Sequence, residues 1–193
     1  MTHKAIDESA HSLQSWQHDW LAAFARYASR YQAEHEVISL FSDFVATRAD
    51  AAERSLRFGH LTGSAWLVDG GGTRVLLTHH RKLDRWLQLG GHADGDVDLA
   101  RVALREAEEE SGLSGLVAEA EIFDLDRHEI PARGSEAAHW HYDVRYVVRA
   151  TAGEAFVVSD ESHALAWCDI AALAADETAD ESLRRMARKW LAR

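Results

Sequence analysis

The stretch REAEEESGL, Arg105–Leu113, places four glutamates in six positions and then breaks at Ser-Gly. It closes what reads as a helix from about Asp98 to Ser111, with Gly112 at the position that favours a left-handed cap. A helix turns by roughly 100° per residue, so residues three, four and seven apart share a face. Leu99, Val102, Ala103 and Ala107 form the apolar stripe of this helix. Glu106 falls inside the stripe, between Leu99 and Val102 in projection, and Glu110 lies one turn further along it. Glu109 flanks the stripe and Glu108 points the opposite way. A solvated face therefore accounts for Glu108 but not for Glu106 or Glu110. An unpaired carboxylate on a buried face costs several kcal/mol or takes up a proton. Like charges four residues apart repel, and glutamates near the C-terminal end meet the unfavourable end of the helix dipole. A chain carrying this helix can bury it only against something that compensates the carboxylates. An all-oxygen donor set points to Mg²⁺, with Mn²⁺ as a substitute.

The helix stands in the middle of a mixed pattern. Residues 9–58 hold no Gly or Pro, and Trp16, Trp20, Phe24, Tyr27 and Tyr31 recur at steps of three and four. That spacing predicts two or three helices whose aromatic stripe makes a core or an interface, compatible with a homodimer. From Gly59 the character changes. HLTGSAWLVDGGGTRVLLTHH reads as two apolar, β-branched runs around a Gly-Gly-Gly turn, a hairpin signal, and RWLQLGGH as a third short strand. After the acidic helix, VAEAEIFDLDRHEI, HWHYDVRYVVRAT and AFVVSDESHALAWCDI read as strands or strand-and-loop segments. From about Asp180 an amphipathic helix carries Leu183, Met186, Ala187 and Trp190. The expectation is a helical segment, 1–58, leading into one mixed α/β domain of the α+β type over 59–193.

Composition narrows the function classes. With 193 residues and 47% hydrophobic content the chain has the makeup of a soluble globular protein. It has no apolar run of about 18 residues, and its N-terminus lacks the apolar centre and cleavage site of a secretory signal. A cytoplasmic protein with no membrane partner is expected. Cys168, the single cysteine, excludes an intrachain disulfide and reads as a packed residue. The formal net charge of −11 repels nucleic acid polymers, so a phosphate-bearing ligand would need a metal ion or local basic groups. THHRKLDRW supplies such groups just ahead of the helix: His79, His80, Arg81, Lys82 and Arg85.

GGHADGDVDLARVALREAEEESGL, residues 90–113, resembles the signature box of the Nudix hydrolases, the MutT-like pyrophosphohydrolases. That box is a Gly, five residues, a Glu, seven residues, then Arg-Glu-aliphatic-any-Glu-Glu-any-Gly-aliphatic. Gly91 takes the first position. Arg105, Glu106, Ala107, Glu109, Glu110, Gly112 and Leu113 fill the second half without departure. The departure is Val97, where a Glu is expected. Asp96 and Asp98 bracket it, and either suits the loop-anchoring part of that role. The strand order around the box extends the resemblance to roughly residues 59–175.

The resemblance implies a Nudix-type α/β/α sandwich with a mixed sheet. It also implies Mg²⁺-dependent hydrolysis of a nucleoside diphosphate linked to another moiety, by water attacking phosphorus. Carried over position by position, Glu106 and Glu110 are metal ligands, Glu109 a ligand or the base, and the Gly91 carbonyl a further ligand. Arg105 would orient the glutamates, and Glu161, beyond the box, is the candidate for a base outside it. His79, Arg81, Lys82 and His92 are the expected substrate contacts. ADP-ribose, nucleoside triphosphates, dinucleoside polyphosphates and coenzyme A share the diphosphate, and the sequence does not choose among them.

HWHYD sets His139, His141 and Asp143 on one side of a strand, which suits a zinc half-site or substrate contacts. With no further ligand recognisable in the sequence, the histidines are expected to face a cleft or solvent. The alternative to an enzyme is a Nudix-fold module that binds a nucleotide or a protein partner without turnover. Such a module has no need to keep three glutamates together on a buried face.

Overall fold

The structure, a computed structural model, describes residues 12–134 and 137–193. The first eleven residues of the expected helical segment lie outside the described residues. Two helices, α1 (Ser15–Arg30) and α2 (His35–Thr47), precede the sheet, separated by a single 3₁₀ turn at Gln32–Glu34. The hairpin follows as β1 (Gly59–Val68) and β2 (Arg74–His80). The Asp69 carboxylate ties its turn by accepting from the backbone N–H groups of Thr73 at 2.8 Å and Arg74 at 3.1 Å.

The apolar run RWLQLGGH is one segment in sequence but two strands in space, β3 (Arg85–Leu87) and β4 (Leu89–His92). β3 pairs with β2 and β4 with β1. Gln88, between them, turns inward and donates to Asp143 Oδ2 at 3.1 Å. The acidic helix α3 (Leu99–Ser111) comes next, then β5 (Leu116–Ile130), β6 (His139–Ala150), β7 (Ser162–Asp169), a short α4 (Ile170–Ala175) and α5 (Glu181–Leu191). Gly112 ends α3 with φ of 66°, a left-handed turn that glycine adopts without steric cost. The residues AFVV before β7 form no strand: the Val157 N–H instead donates to the Ser111 carbonyl at 2.7 Å.

The seven strands form one mixed sheet whose main path runs β3-β2-β1-β6-β5, with β4 added to β1 and β7 to β2. β1 and β6 are parallel and the other pairs antiparallel. All ten residues of β1 are buried, so both of its faces are covered. Alternation assigns those faces. Leu61, Ala65 and Leu67 meet α3 and the aromatic residues Trp20, Phe24, Phe41 and Phe44 of the first two helices. Trp66 and Val68 meet Leu183, Met186 and Ala187 of α5 on the other side. The result is the α/β/α arrangement expected, with the N-terminal helices sharing the core of the sheet.

Candidate active site

α3 lies against β1 and β4, and the periodicity of its sequence decides what it presents there. Leu99, Val102, Ala103 and Ala107 are fully buried, and Glu110 is buried with them at 8% exposure. Glu108 and Glu109 are exposed, and Glu106 is half-buried. Glu110 Oε1 accepts the Gly90 N–H at 2.8 Å. Glu106 lies so close to the neighbouring glycine that a Cβ on Gly91 would come within 2.5 Å of its carboxylate. A side chain there would displace Glu106, so the second glycine of this pair is a requirement of close approach.

Arg105 donates to Glu106 Oε1 at 2.8 Å and to the His92 carbonyl at 3.1 Å. It thus links the helix to β4 from beside the glutamates. Burial pushes the Glu110 carboxyl up to about 8, and the nearby charges of Glu106 and Glu161 add to that, against the Gly90 hydrogen bond. Glu106 is raised as well, by burial first; Arg105 opposes the shift while Glu109 and Glu161 add to it. Glu161 therefore belongs to the same electrostatic neighbourhood although it is 51 positions from Glu110 in the chain.

Pairing of β2 with β7 explains how Glu161 reaches this place. The Arg81 N–H donates to the Glu161 carbonyl at 3.0 Å, and the Arg81 guanidinium to the Ser162 carbonyl at 2.9 Å. The loop that carries Arg81 and the exposed Lys82 is thereby fixed beside Glu161. His79 is stacked against Trp86 with ring centroids 5.2 Å apart and lies 3.4 Å from Asp84.

At the departure from the box, Val97 packs partly buried against the core, and its carbonyl accepts the Trp20 indole N–H at 3.0 Å. The two flanking aspartates hold the loop. Asp98 caps α3 by accepting the Arg101 N–H at 3.1 Å, and Asp96 takes Arg101 through contacts of 2.9 and 2.6 Å and the Asp98 N–H at 2.9 Å.

Two features lie on the opposite face of the sheet, and the sequence shows only the single-strand part of each. The first is a buried ionic lattice. Arg145, fully buried, donates to Asp143 at 2.7 Å and to Asp124 and Asp126 at 3.1 Å each. Arg185 and Lys189 of α5 reach Asp124 at 2.7 and 2.6 Å, and Lys189 also contacts Glu34 at 2.6 Å and the Tyr27 hydroxyl at 2.6 Å. Asp143 further accepts from Thr62 and Ser64 at 2.9 and 2.7 Å.

The second is a group of histidines. His139 and His141, expected to face a cleft or solvent, pack with His60 and His92; His139, 6% exposed, lines a cleft there with His60, Arg54 and Arg57, and His141 is half-buried. The His92 ring thus joins this group rather than turning to the glutamates on the α3 face. Burial, with the surrounding imidazoles, pushes His60 down to about 4 and His141 to about 2, so both are neutral near pH 7. Cys168 is partly buried beside the α5 core, and burial raises its thiol.

Comparison with known proteins bears on the fold and the family. Residues 60–190 match the family model of the NUDIX domain. Among curated proteins, none matches the chain by sequence. The crystal structure of a MutT protein from Methanosarcina mazei Go1 is similar, with a TM-score of 0.54 and 18% identity over 71% of this chain and 96% of that one. An Ap4A hydrolase of C. elegans gives 0.53 and 18% over 68% and 95%. The E. coli dihydroneopterin triphosphate pyrophosphohydrolase gives 0.52 and 18% over 68% and 94%. At such identities the likeness to these structures is one of fold. No helix among the described residues is long and apolar enough to cross a membrane.

Proposed function

The chain belongs to the NUDIX family and is a hydrolase of diphosphate bonds, and from that premise we propose Mg²⁺-dependent hydrolysis of a nucleoside diphosphate linked to another moiety, with Mn²⁺ able to substitute. The observation that carries the proposal is the convergence of Glu106, Glu110 and Glu161, whose mutual repulsion and burial raise the first two carboxyls. Such a set is unfavourable by itself and favourable around a hard divalent cation, which accepts oxygen donors and suits this group. Glu106, Glu110 and the flanking Glu109 would hold the ion, with the Gly91 carbonyl as a further donor. Bound there, Mg²⁺ would neutralise the diphosphate and lower the pKa of a coordinated water.

The remaining steps fall to side chains. Hydrolysis adds water across a P–O–P bridge: the water oxygen bonds to phosphorus, the bridging oxygen leaves with its phosphate, and the water gives up a proton. Glu161 is proposed to accept that proton, with Glu109 the other candidate. Arg105, held on the His92 carbonyl, keeps Glu106 aimed at the ion and is a positioning residue. Arg81 and Lys82, on the loop fixed beside Glu161, and His79, near the end of β2, would meet the phosphates, and the charge of the arginine and lysine offsets the overall −11 locally. His92 joins them in the proposal through its backbone, as the group that anchors Arg105.

The names of two structurally similar proteins denote hydrolysis of Ap4A and of dihydroneopterin triphosphate. They support a small phosphate anhydride as substrate here. The test is a screen of nucleoside diphosphate derivatives with and without Mg²⁺, reading released phosphate through a coupled phosphatase. Turnover that requires the metal is expected. Saturable binding of a nucleotide with no turnover under any divalent ion would overturn the enzyme and leave the binding module.

A further inference from the structure

We propose that His60, His92 and His141, with His139 as the fourth donor, bind a divalent transition metal ion of the zinc type, at a site separate from the glutamates of α3. Three strands bring these residues together. In the parallel pairing of β1 with β6, His60 stands directly beside His141, and in the antiparallel pairing of β1 with β4, His92 stands beside Thr62. Side chains at 60 and 62 share a face of β1, so all three rings project to the same side of the sheet. That side is opposite to α3.

The geometry is that of a ligand set. One nitrogen from each of His60, His92 and His141 lies within 4.8 Å of the other two. The ring centroids are 5.1 Å apart for His60 and His92, 5.0 Å for His60 and His141, and 5.1 Å for His92 and His141. Nitrogens bound to a tetrahedral ion at about 2.1 Å stand roughly 3.4 Å apart, so the three rings would have to draw together on binding, and His139, outside that group of three, reaches it through His141.

His60 supplies the independent observation. It is 2% exposed, and neither ring nitrogen makes a hydrogen bond of normal geometry among the described residues, although the Leu56 carbonyl lies near enough to act on its charge. A buried imidazole with no well-formed hydrogen bond at either nitrogen is costly, and since the Leu56 carbonyl approaches only one of them, a metal bond would remove that cost at the other.

His139 is prepared in the way that ligating histidines are. Its Nδ1 donates to the Ala137 carbonyl at 2.9 Å, which fixes the tautomer and leaves Nε2 as a lone pair, 3.3 Å from His141 Nε2. Donors that are all imidazole exclude the hard cations that the glutamates favour and select zinc and its neighbours in the first transition row. Four protein donors make a closed site with no open position, hence a structural one. It would cross-link β1, β4 and β6 next to Gly91, at the residue whose carbonyl anchors Arg105.

The experiment uses the full chain stripped with a chelator, dialysed, and titrated with Zn²⁺ in the presence of excess Mg²⁺. Elemental analysis should show one retained equivalent, and Co²⁺ in its place should give the intense visible spectrum of tetrahedral coordination. Glu106→Gln with Glu110→Gln should leave that equivalent in place, which keeps this outcome distinct from the fate of the glutamate site. His141→Gln should abolish it, and His163→Gln, outside the group, should not. Should His141→Gln fail to fold, His92→Gln, at a half-buried position, carries the same test. The proposal is overturned if no Zn²⁺ is retained over Mg²⁺, or if the retained ion survives both histidine substitutions.

Discussion

At Glu110, burial and charge are in conflict. Its carboxyl is raised to about 8, whereas a free glutamate titrates near 4.3. In the metal-free protein, stability is full below the ordinary value and falls as pH rises from about 4.3 to about 8, because the unfolded chain gives up its proton first. Glu110→Gln removes that dependence. The substituted protein is expected to melt higher than the parent without metal, by a margin that widens from pH 5 to pH 8. It should also lose about a hundredfold or more in turnover, the scale of a lost main electrostatic contact to the transition state. Glu108→Gln, at an exposed position, should change neither melting temperature nor rate. Equivalent effects of the two substitutions on a confirmed substrate would remove Glu110 from the machinery. This much was legible in the sequence, because helical periodicity is local: four positions suffice to place Glu106 and Glu110 on one line.

At the level of elements, the loop into α3 shows how a missing side chain is accommodated. Val97 turns toward Trp20 and the core, while Asp98 caps the helix and Asp96 grips Arg101. Val97→Glu should therefore change turnover by less than tenfold. Asp98→Ala should cost roughly 1 kcal/mol, the ordinary worth of an N-cap. Asp96→Ala combined with Asp98→Ala should lower turnover below that of the parent, since the loop that positions Gly91 would lose both anchors. Denaturant melts and initial rates decide each of these. A large gain from Val97→Glu alone would show a weakened member of its family. The histidine group belongs to this scale too, and it explains what the sequence conceals. His60, His92 and His141 meet only through the register of β1 with β4 and with β6. No spacing in the chain encodes that register. The division of RWLQLGGH between two neighbours was hidden for the same reason.

Across the whole molecule, the buried lattice links both helical layers through the sheet. Burial alone would raise Asp124, yet the Arg185 hydrogen bond and the charges of Arg145, Arg185 and Lys189 hold its carboxyl below the ordinary range. Asp126 is depressed likewise, against burial, by His128, Arg145 and Arg185. For depressed acids the sign is clear: their contribution is complete above the unfolded value of about 3.9 and is lost as pH falls below it. Acid melts of the parent should steepen below about pH 4. Asp124→Asn should cost about 3–5 kcal/mol at pH 7, the scale for stranding a buried partner, and should flatten the acid limb. An acid limb unchanged by that substitution would show that the lattice does not govern it. The sequence held one clue to this network, since Asp124 and Asp126, like Asp143 and Arg145, stand at alternate positions and so share one face of their strand. It gave no sign that α5 would complete it.

That completion has a consequence for the order of events at synthesis. Lys189 Nζ touches the Tyr27 hydroxyl across 162 positions of chain and also neutralises Glu34 and Asp124. Until residue 189 has emerged, a nascent chain holds those two carboxylates without that ammonium group. The contacts that tie α1 and its following turn to α5 are therefore among those that form only after α5 has been made.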